Sequence, residues 1–191
     1  MTSSQKILLW ILIIAIIVTS ALWIMGGKRE EYSSALLINA DPETVFSYLV
    51  EPEKLKNWVE GLSSVERIEP NELVNGMLVV DTSPRTVVID GKPTQFEDEV
   101  LRYGENTNLT VKSTSSKVAL TSIFKLEPRD DRTYLTYRVK TLNRGFGRLL
   151  APLSRDATQA RIDEELRRLK ELVESKTNWA TSPYLPGEEY P

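Results

Sequence analysis

The chain has 191 residues, 41% of them apolar, with 24 Lys+Arg against 27 Asp+Glu and neither Cys nor His. That length holds one domain plus an accessory segment. The missing residue types exclude cysteine-ligated metals, iron–sulfur clusters, disulfide scaffolds and histidine-based catalysis.

From Ile7 to Met25, 17 of 19 positions are apolar, with only Thr19 and Ser20 intervening and no charge. As a helix this run measures roughly 28 Å, close to the hydrocarbon thickness of a bilayer. Trp10 and Trp23 stand near its ends, and Lys6 and Lys28-Arg29 bracket it, as interfacial aromatic and basic residues do. The run is long for a signal-peptide core, and Leu22-Trp23-Ile24-Met25 offers no small-residue cleavage site. Residues 1–29 therefore read as an uncleaved single-pass anchor. Lys6 with the α-amino group nearly balances Lys28 and Arg29, which leaves the side of the soluble part open. All 27 acidic residues and 21 of the 24 basic ones follow Arg29, a formal charge of −6 that argues against nucleic acid as a partner.

Tyr32 to Asn39 reads as a strand. Asp41 as N-cap, Pro42 at the first helical position and Glu43 in the first turn then start a helix carrying Val45, Phe46, Leu49 and Val50. Glu51-Pro52 breaks it, a second short helix carries Leu55, Trp58 and Val59, and Gly61 ends the pair. Period-two patterning follows over Val65–Glu69, Met77–Asp81, Arg85–Asp90, Thr94–Arg102, Leu109–Lys112, Lys117–Leu126 and Thr133–Leu142. Turn residues separate these runs at Asn75-Gly76, Asp90-Gly91, Gly104-Glu105-Asn106 and Pro128-Arg129-Asp130-Asp131, the pattern of an antiparallel sheet of hairpins. Phe146, Leu149, Leu150 and Leu153 around Gly145, Gly147 and Pro152 predict a bent helical segment. Ile162, Leu166, Leu169 and Val173 then recur at helical spacing, so the last helix must lay an apolar stripe on the sheet. The folded domain is expected over residues 30–175, with an irregular tail over residues 176–191.

The order is one strand, two short helices, about six strands and a long terminal helix, an α+β arrangement in which a curved antiparallel sheet wraps around the helix. Ile38-Asn39-Ala40-Asp41-Pro42-Glu43-Thr44-Val45-Phe46, Trp58, Val74-Asn75-Gly76-Met77, Phe96-Glu97-Asp98-Glu99-Val100, Thr133-Tyr134-Leu135-Thr136-Tyr137 and the closing Leu166-Arg167-Arg168-Leu169-Lys170-Glu171-Leu172 stand in the order of a known pattern. Over residues 32–175 the chain resembles the START-like (SRPBCC) superfamily, in particular its polyketide cyclase/dehydrase and lipid-transport branch. The resemblance implies a helix-grip fold of about six to seven strands. It also implies a cavity that in many relatives takes lipids, sterols, polyketides or other apolar small molecules, and, with the anchor, a single-pass protein of a bacterial inner membrane.

Strand alternation would turn Phe96, Val100, Leu109, Val111, Val118, Leu120, Phe124, Leu135, Tyr137 and Val139 inward, as plain core or as cavity wall. The same alternation carries Asp98 and the Tyr137 hydroxyl inward. A buried carboxylate needs a partner or a raised pKa, so Asp98 reads as a structural hydrogen-bonding group, as one that orients a ligand hydroxyl, or as an acid or base. Trp58 and Phe46, on the two short helices, are candidates for one end of the cavity, as gate or as core anchor. The Gly145–Pro152 bend is a candidate entrance or a packed loop. The candidate ligand-binding set is Trp58, Phe96, Asp98, Val100, Leu120, Phe124 and Tyr137, with no cofactor, no metal and no assigned catalytic residue. The Asn108-Leu109-Thr110 sequon lies within a strand and carries little weight.

Three functions fit. The first is a membrane-anchored module that holds or transfers a hydrophobic small molecule. The second is an interaction or scaffold protein with a filled cavity, using its acidic surface or the Trp179–Tyr190 tail. The third is a cyclase- or dehydratase-like enzyme. The soluble domain is expected to be monomeric.

Overall fold

Residues 3–70, 73–74, 77–78, 82–89, 91–145 and 147–180 are described by the computed structural model, with backbone alone for 73–74, 77–78, 150 and 177–180. The turn expected at Asn75-Gly76, Asp81, Asp90, Phe146 and the tail from Thr181 to Pro191 lie outside the described residues.

The apolar run forms α1 (Ser3–Met25), with none of its residues buried, and it is long and apolar enough to cross a membrane. After Gly26-Gly27 the chain enters β1 (Glu30–Ile38), and then α2 (Pro42–Val50) and α3 (Pro52–Trp58). Asp41 caps α2 as its sequence position predicts: its carboxylate accepts from the Thr44 N–H at 2.8 Å and from the Thr44 hydroxyl at 2.7 Å. These bonds hold the Asp41 carboxyl below its ordinary range. Asp41→Ala is expected to cost about 0.5–2 kcal/mol, measured by denaturant unfolding. Because the folded pKa is depressed, this contribution is present above the ordinary value of 3.8 and fades as pH falls below it. The difference between wild type and variant therefore narrows in acid.

Next come β2 (Leu62–Val65), the short pair β3 (Leu73–Val74) and β4 (Met77–Leu78), and then β5 (Thr82–Ile89), β6 (Lys92–Gly104), β7 (Asn108–Thr114), β8 (Val118–Arg129) and β9 (Arg132–Asn143). Seven of them make one antiparallel sheet in the order β1-β9-β8-β7-β6-β5-β2, while among the described residues β3 and β4 form a separate two-stranded pair. The sequence places a strand at Val65–Glu69, but β2 ends at Val65. Beyond it the Ile68 N–H is given to the Val50 carbonyl at 3.1 Å and the Ile68 side chain enters the core, so this stretch covers α2 instead of extending the sheet.

The bend resolves into α4 (Gly147–Leu150) and a 3-10 turn at Ala151–Leu153, leading into α5 (Arg155–Ala180). The helix thus runs past Lys176, where the irregular tail is expected to begin. Its stripe Ile162, Leu166, Leu169 and Val173 is 0–4% exposed against the sheet and α2–α3, and each such side chain contributes about 1.5–3 kcal/mol. Asn39 N–H donates to the Glu174 carboxylate at 2.8 Å, pinning the far end of α5 to the end of β1. Where α1 ends, the Gly26 backbone meets the Arg148 carbonyl so closely that a Cβ would overlap it, and the Arg148 guanidinium lies 5.5 Å over the Trp23 ring.

Candidate functional site

Between the sheet, α5 and the α2–α3 pair lies a cavity of about 260 Å³. The volume lies just below the range of about 300–1,000 Å³ typical of small-molecule pockets. Its apolar wall comes from alternate strand residues, Val87 and Ile89 on β5, Phe96 on β6, Val111 on β7, Val118, Leu120 and Phe124 on β8 and Val139 on β9, closed by Leu55 and Trp58 from α3 and Ile162 from α5. Alternation puts these side chains on one face, and antiparallel pairing of β6 through β9 brings the four rows side by side.

Of the residues expected at the site, Trp58, Phe96, Asp98, Leu120, Phe124 and Tyr137 line this cavity. Val100 does not: it pairs in register with Val111 and packs half-buried against the core beside the cavity. Leu109 and Leu135, also on the inward face, are completely buried core residues outside the wall. Phe46 is core as well, edge-on to Tyr103 at 5.3 Å. Trp58 is a core anchor that also lines the cavity. It is 2% exposed, its indole N–H donates to the Tyr48 carbonyl at 2.9 Å, and its ring meets Phe124 edge-on at 6.3 Å. Phe124 in turn stacks on Tyr137 with centroids 4.4 Å apart, so one aromatic ladder runs from α3 to β9.

The polar groups on this wall form two clusters. In the first, Asp98 Oδ2 lies 2.9 Å from Arg85 Nε, and Arg85 also donates to the Ser113 hydroxyl at 2.7 Å while its guanidinium lies 5.3 Å from the Phe96 ring centre. The other Asp98 oxygen, Oδ1, has no hydrogen-bond partner although the residue is only 4% exposed. Burial raises the Asp98 carboxyl above its ordinary pKa, and the Arg85 charge and the Ser113 hydroxyl offset only part of that. In the second cluster, Glu165 of α5 accepts from Arg161 Nε at 3.1 Å and from the Glu60 N–H at 3.2 Å. Burial raises its pKa too, against the nearby Arg161. The Tyr137 phenol is pushed up to about 12, first by burial and then by the charge of Glu165, so it stays a neutral donor. Thr141, 7% exposed, lines the same cavity with its hydroxyl unpartnered.

An apolar chamber with unsatisfied acceptors at fixed points can seat an apolar molecule and orient it through a hydroxyl or similar donor. Among the described residues no group of three or more Asp and Glu side chains is placed to hold a metal ion.

Sequence reading misses Arg85, Ser113, Thr141, Arg161 and Glu165. For Arg85 a signal is present, since it shares the inward face of β5 with Val87 and Ile89. A charged residue at that register is the natural counterion of an inward Asp98. Glu165 lies beside the Ile162–Leu166 stripe, where one step around a helix separates wall from solvent, and sequence spacing alone does not say which.

The family model described as polyketide cyclase / dehydrase and lipid transport matches residues 30–174. Among solved structures, the chain is similar to TTHA0849 from Thermus thermophilus, at 20% identity with a TM-score of 0.61, covering 80% of this chain and 100% of that one. It is also similar to the Zhui aromatase/cyclase from Streptomyces sp. R1128, at 11% identity and TM-score 0.60, covering 82% and 98%. A third is the di-domain ARO/CYC StfQ from the steffimycin biosynthetic pathway, at 14% identity and TM-score 0.60, covering 81% of this chain and 54% of that one. At these identities the likeness is one of fold. No match was found among curated protein sequences.

Proposed function

Because the chain belongs to the polyketide cyclase/dehydrase and lipid transport family, we propose that it is a membrane-anchored module that holds or transfers a hydrophobic small molecule in its internal cavity. The observation that carries this reading is the cavity itself: about 260 Å³ of space behind an apolar wall, with Asp98 Oδ1 and the Thr141 hydroxyl aimed at no protein partner. Unfilled space of that size argues against the filled-cavity scaffold. The ligand class is a lipid or polyketide-like body carrying at least one hydroxyl or comparable donor. The apolar α1 supports anchoring, which would raise the local concentration of a membrane-dissolved ligand without changing the affinity of the site.

Native mass spectrometry of the full chain purified from membranes, followed by organic extraction, tests the proposal. A discrete co-purifying apolar species is expected, and a ligand-free mass from several lipid-rich hosts overturns the binding reading. Asp98→Asn is expected to fold and to weaken retention of that species by about five- to tenfold, the difference between a charged and a neutral acceptor. Unchanged retention removes Asp98 from the site.

One observation favours a second reading. Asp98 and the neutral Tyr137 phenol line one chamber whose fold is shared with aromatase/cyclases, so proton transfer on a polyketide-like substrate fits the same groups. Turnover of such a substrate that disappears in Asp98→Asn would favour enzyme over carrier.

A further inference from the structure

The end of the domain where α1 joins it is unlike the rest of the surface. Arg148 sits against Gly26 and Trp23, and the Arg144 N–H donates to the Lys117 carbonyl at 2.7 Å. The α4 segment then leads through the Ala151–Leu153 turn into α5 at Arg155. The tertiary fold thus gathers Lys117 and the Arg144–Arg155 stretch, with Arg148, at the end of α1 that leads into Lys28 and Arg29. Lys28, Arg29, Lys117, Arg144 and Arg155 are exposed, and none of these five has an ion-pair partner among the described residues. Elsewhere cations are commonly paired: Arg85 with Asp98 at 2.9 Å, Arg161 with Glu165, and Arg167 with both Glu164 and Glu171. The acids at this end are few. Glu30 accepts from the Tyr32 hydroxyl at 2.6 Å, Glu31 is taken by Arg138 and Lys140, and Asp156 stands beside the collar in the first turn of α5.

Between Arg148 and Arg155 along the chain, Leu153 is a large apolar side chain that is 74% exposed among the described residues. The cavity also reaches this end, since Val118, Thr141 and Thr158 belong to its wall.

We propose that this basic collar, together with Leu153, is a second membrane contact that docks on an anionic lipid surface and holds the Val118–Thr141–Thr158 end of the cavity against the headgroups. The inference rests on the anchoring reading above. Charge complementarity selects the occupant. Unpaired cations cluster on one end, whereas the chain from Lys28 onward carries a net charge of −4 (23 basic against 27 acidic residues), so an anionic surface attracts this end and repels the remainder. An exposed leucine among cations suits a headgroup layer over an apolar core, whereas a polyanion in solution would gain nothing from it.

The chain lacks cysteine, so a single introduced one reports its own position. Leu153→Cys places a fluorophore in the collar. Asp131→Cys places one in the β8–β9 turn, about 40 Å away along β9. The full-length variants are inserted in nanodiscs of phosphatidylcholine with or without phosphatidylglycerol, and quenching by headgroup spin-labelled lipid is compared. Quenching at position 153 is expected to rise when phosphatidylglycerol is present and to fall again at high salt, with position 131 indifferent. Adding Arg144→Gln and Arg155→Gln, both exposed positions, is expected to lower the ratio of docked to undocked protein by about fivefold per charge removed. If the chain stays in the discs but quenching at 153 ignores lipid charge, salt and these substitutions, the docking proposal is overturned and the anchor stands. A chain that does not co-migrate with the discs overturns anchoring and docking together.

Discussion

Arg85→Leu is expected to destabilise the domain by about 3–5 kcal/mol at neutral pH, because it strands a buried carboxylate. Asp98 is 4% exposed and Arg85 is its only ion-pair partner among the described residues, while Oδ1 has no hydrogen bond to fall back on. The cost should depend on pH in a definite direction. The folded pKa of Asp98 already lies above the ordinary 3.8 despite the Arg85 charge, and removing that charge lifts it further. A carboxyl with a raised folded pKa contributes stability that is fully present below its unfolded value and is lost as pH rises through the folded one. The wild-type advantage over Arg85→Leu is therefore greatest at neutral pH and shrinks as pH falls through the raised folded values towards 3.8, where both folded proteins carry Asp98 neutral. Denaturant unfolding at a series of pH values reads this directly, and a pH-independent difference would show that Arg85 acts through packing on Phe96 alone. The double variant Arg85→Leu with Asp98→Val is expected to recover most of the loss, since replacing both members of a buried pair by apolar side chains is often neutral or stabilising.

Trp58→Ala is the second large effect, expected at about 3–5 kcal/mol, measured by the shift of the denaturant midpoint at unchanged slope. The substitution removes an edge contact to Phe124, breaks the ladder that continues to Tyr137 and leaves the Tyr48 carbonyl without its donor. It also enlarges the cavity, so the spectrum of co-purifying species should move to larger molecules. Trp58→Phe keeps most of the ring contact and loses the indole donor, and should cost about 1–3 kcal/mol, the penalty of an unsatisfied buried carbonyl. A midpoint unchanged in Trp58→Ala would contradict the anchor role of this side chain.

Local chemistry makes much of the fold legible. Asp41-Pro42-Glu43 announces α2 because a capping carboxylate and a proline without an N–H suit the first turn and little else. The 4, 3, 4 spacing of Ile162, Leu166, Leu169 and Val173 fixes which face of α5 is buried, since only a helix brings those positions together. The strand runs from Arg85 to Leu142 can be read by alternation, and six of the seven candidate site residues are on the cavity wall for the same reason. Alternation turns Val100 inward correctly, in register with Val111, but it packs on the core beside the cavity instead of on its wall, because where the space opens is decided by how the helices cover the sheet and not by strand phase. Val65–Glu69 has the pattern of a strand, and nothing local reveals that Ile68 bonds to Val50.

Element order, the apolar helix, the inward faces of the strands and the presence of a carboxylate among them are all written in the chain, because each follows from periodicity over a few consecutive residues. Folding in three dimensions was needed to bring Arg85 to Asp98, to add Glu165 of α5 to the wall, to leave space between sheet and helix, and to bring the Arg144–Arg155 stretch, with Arg148, to the end of α1 that leads into Lys28 and Arg29. Those are meetings between residues from 13 to more than 100 positions apart, set by strand register and by where α5 crosses the sheet, and no local propensity encodes them.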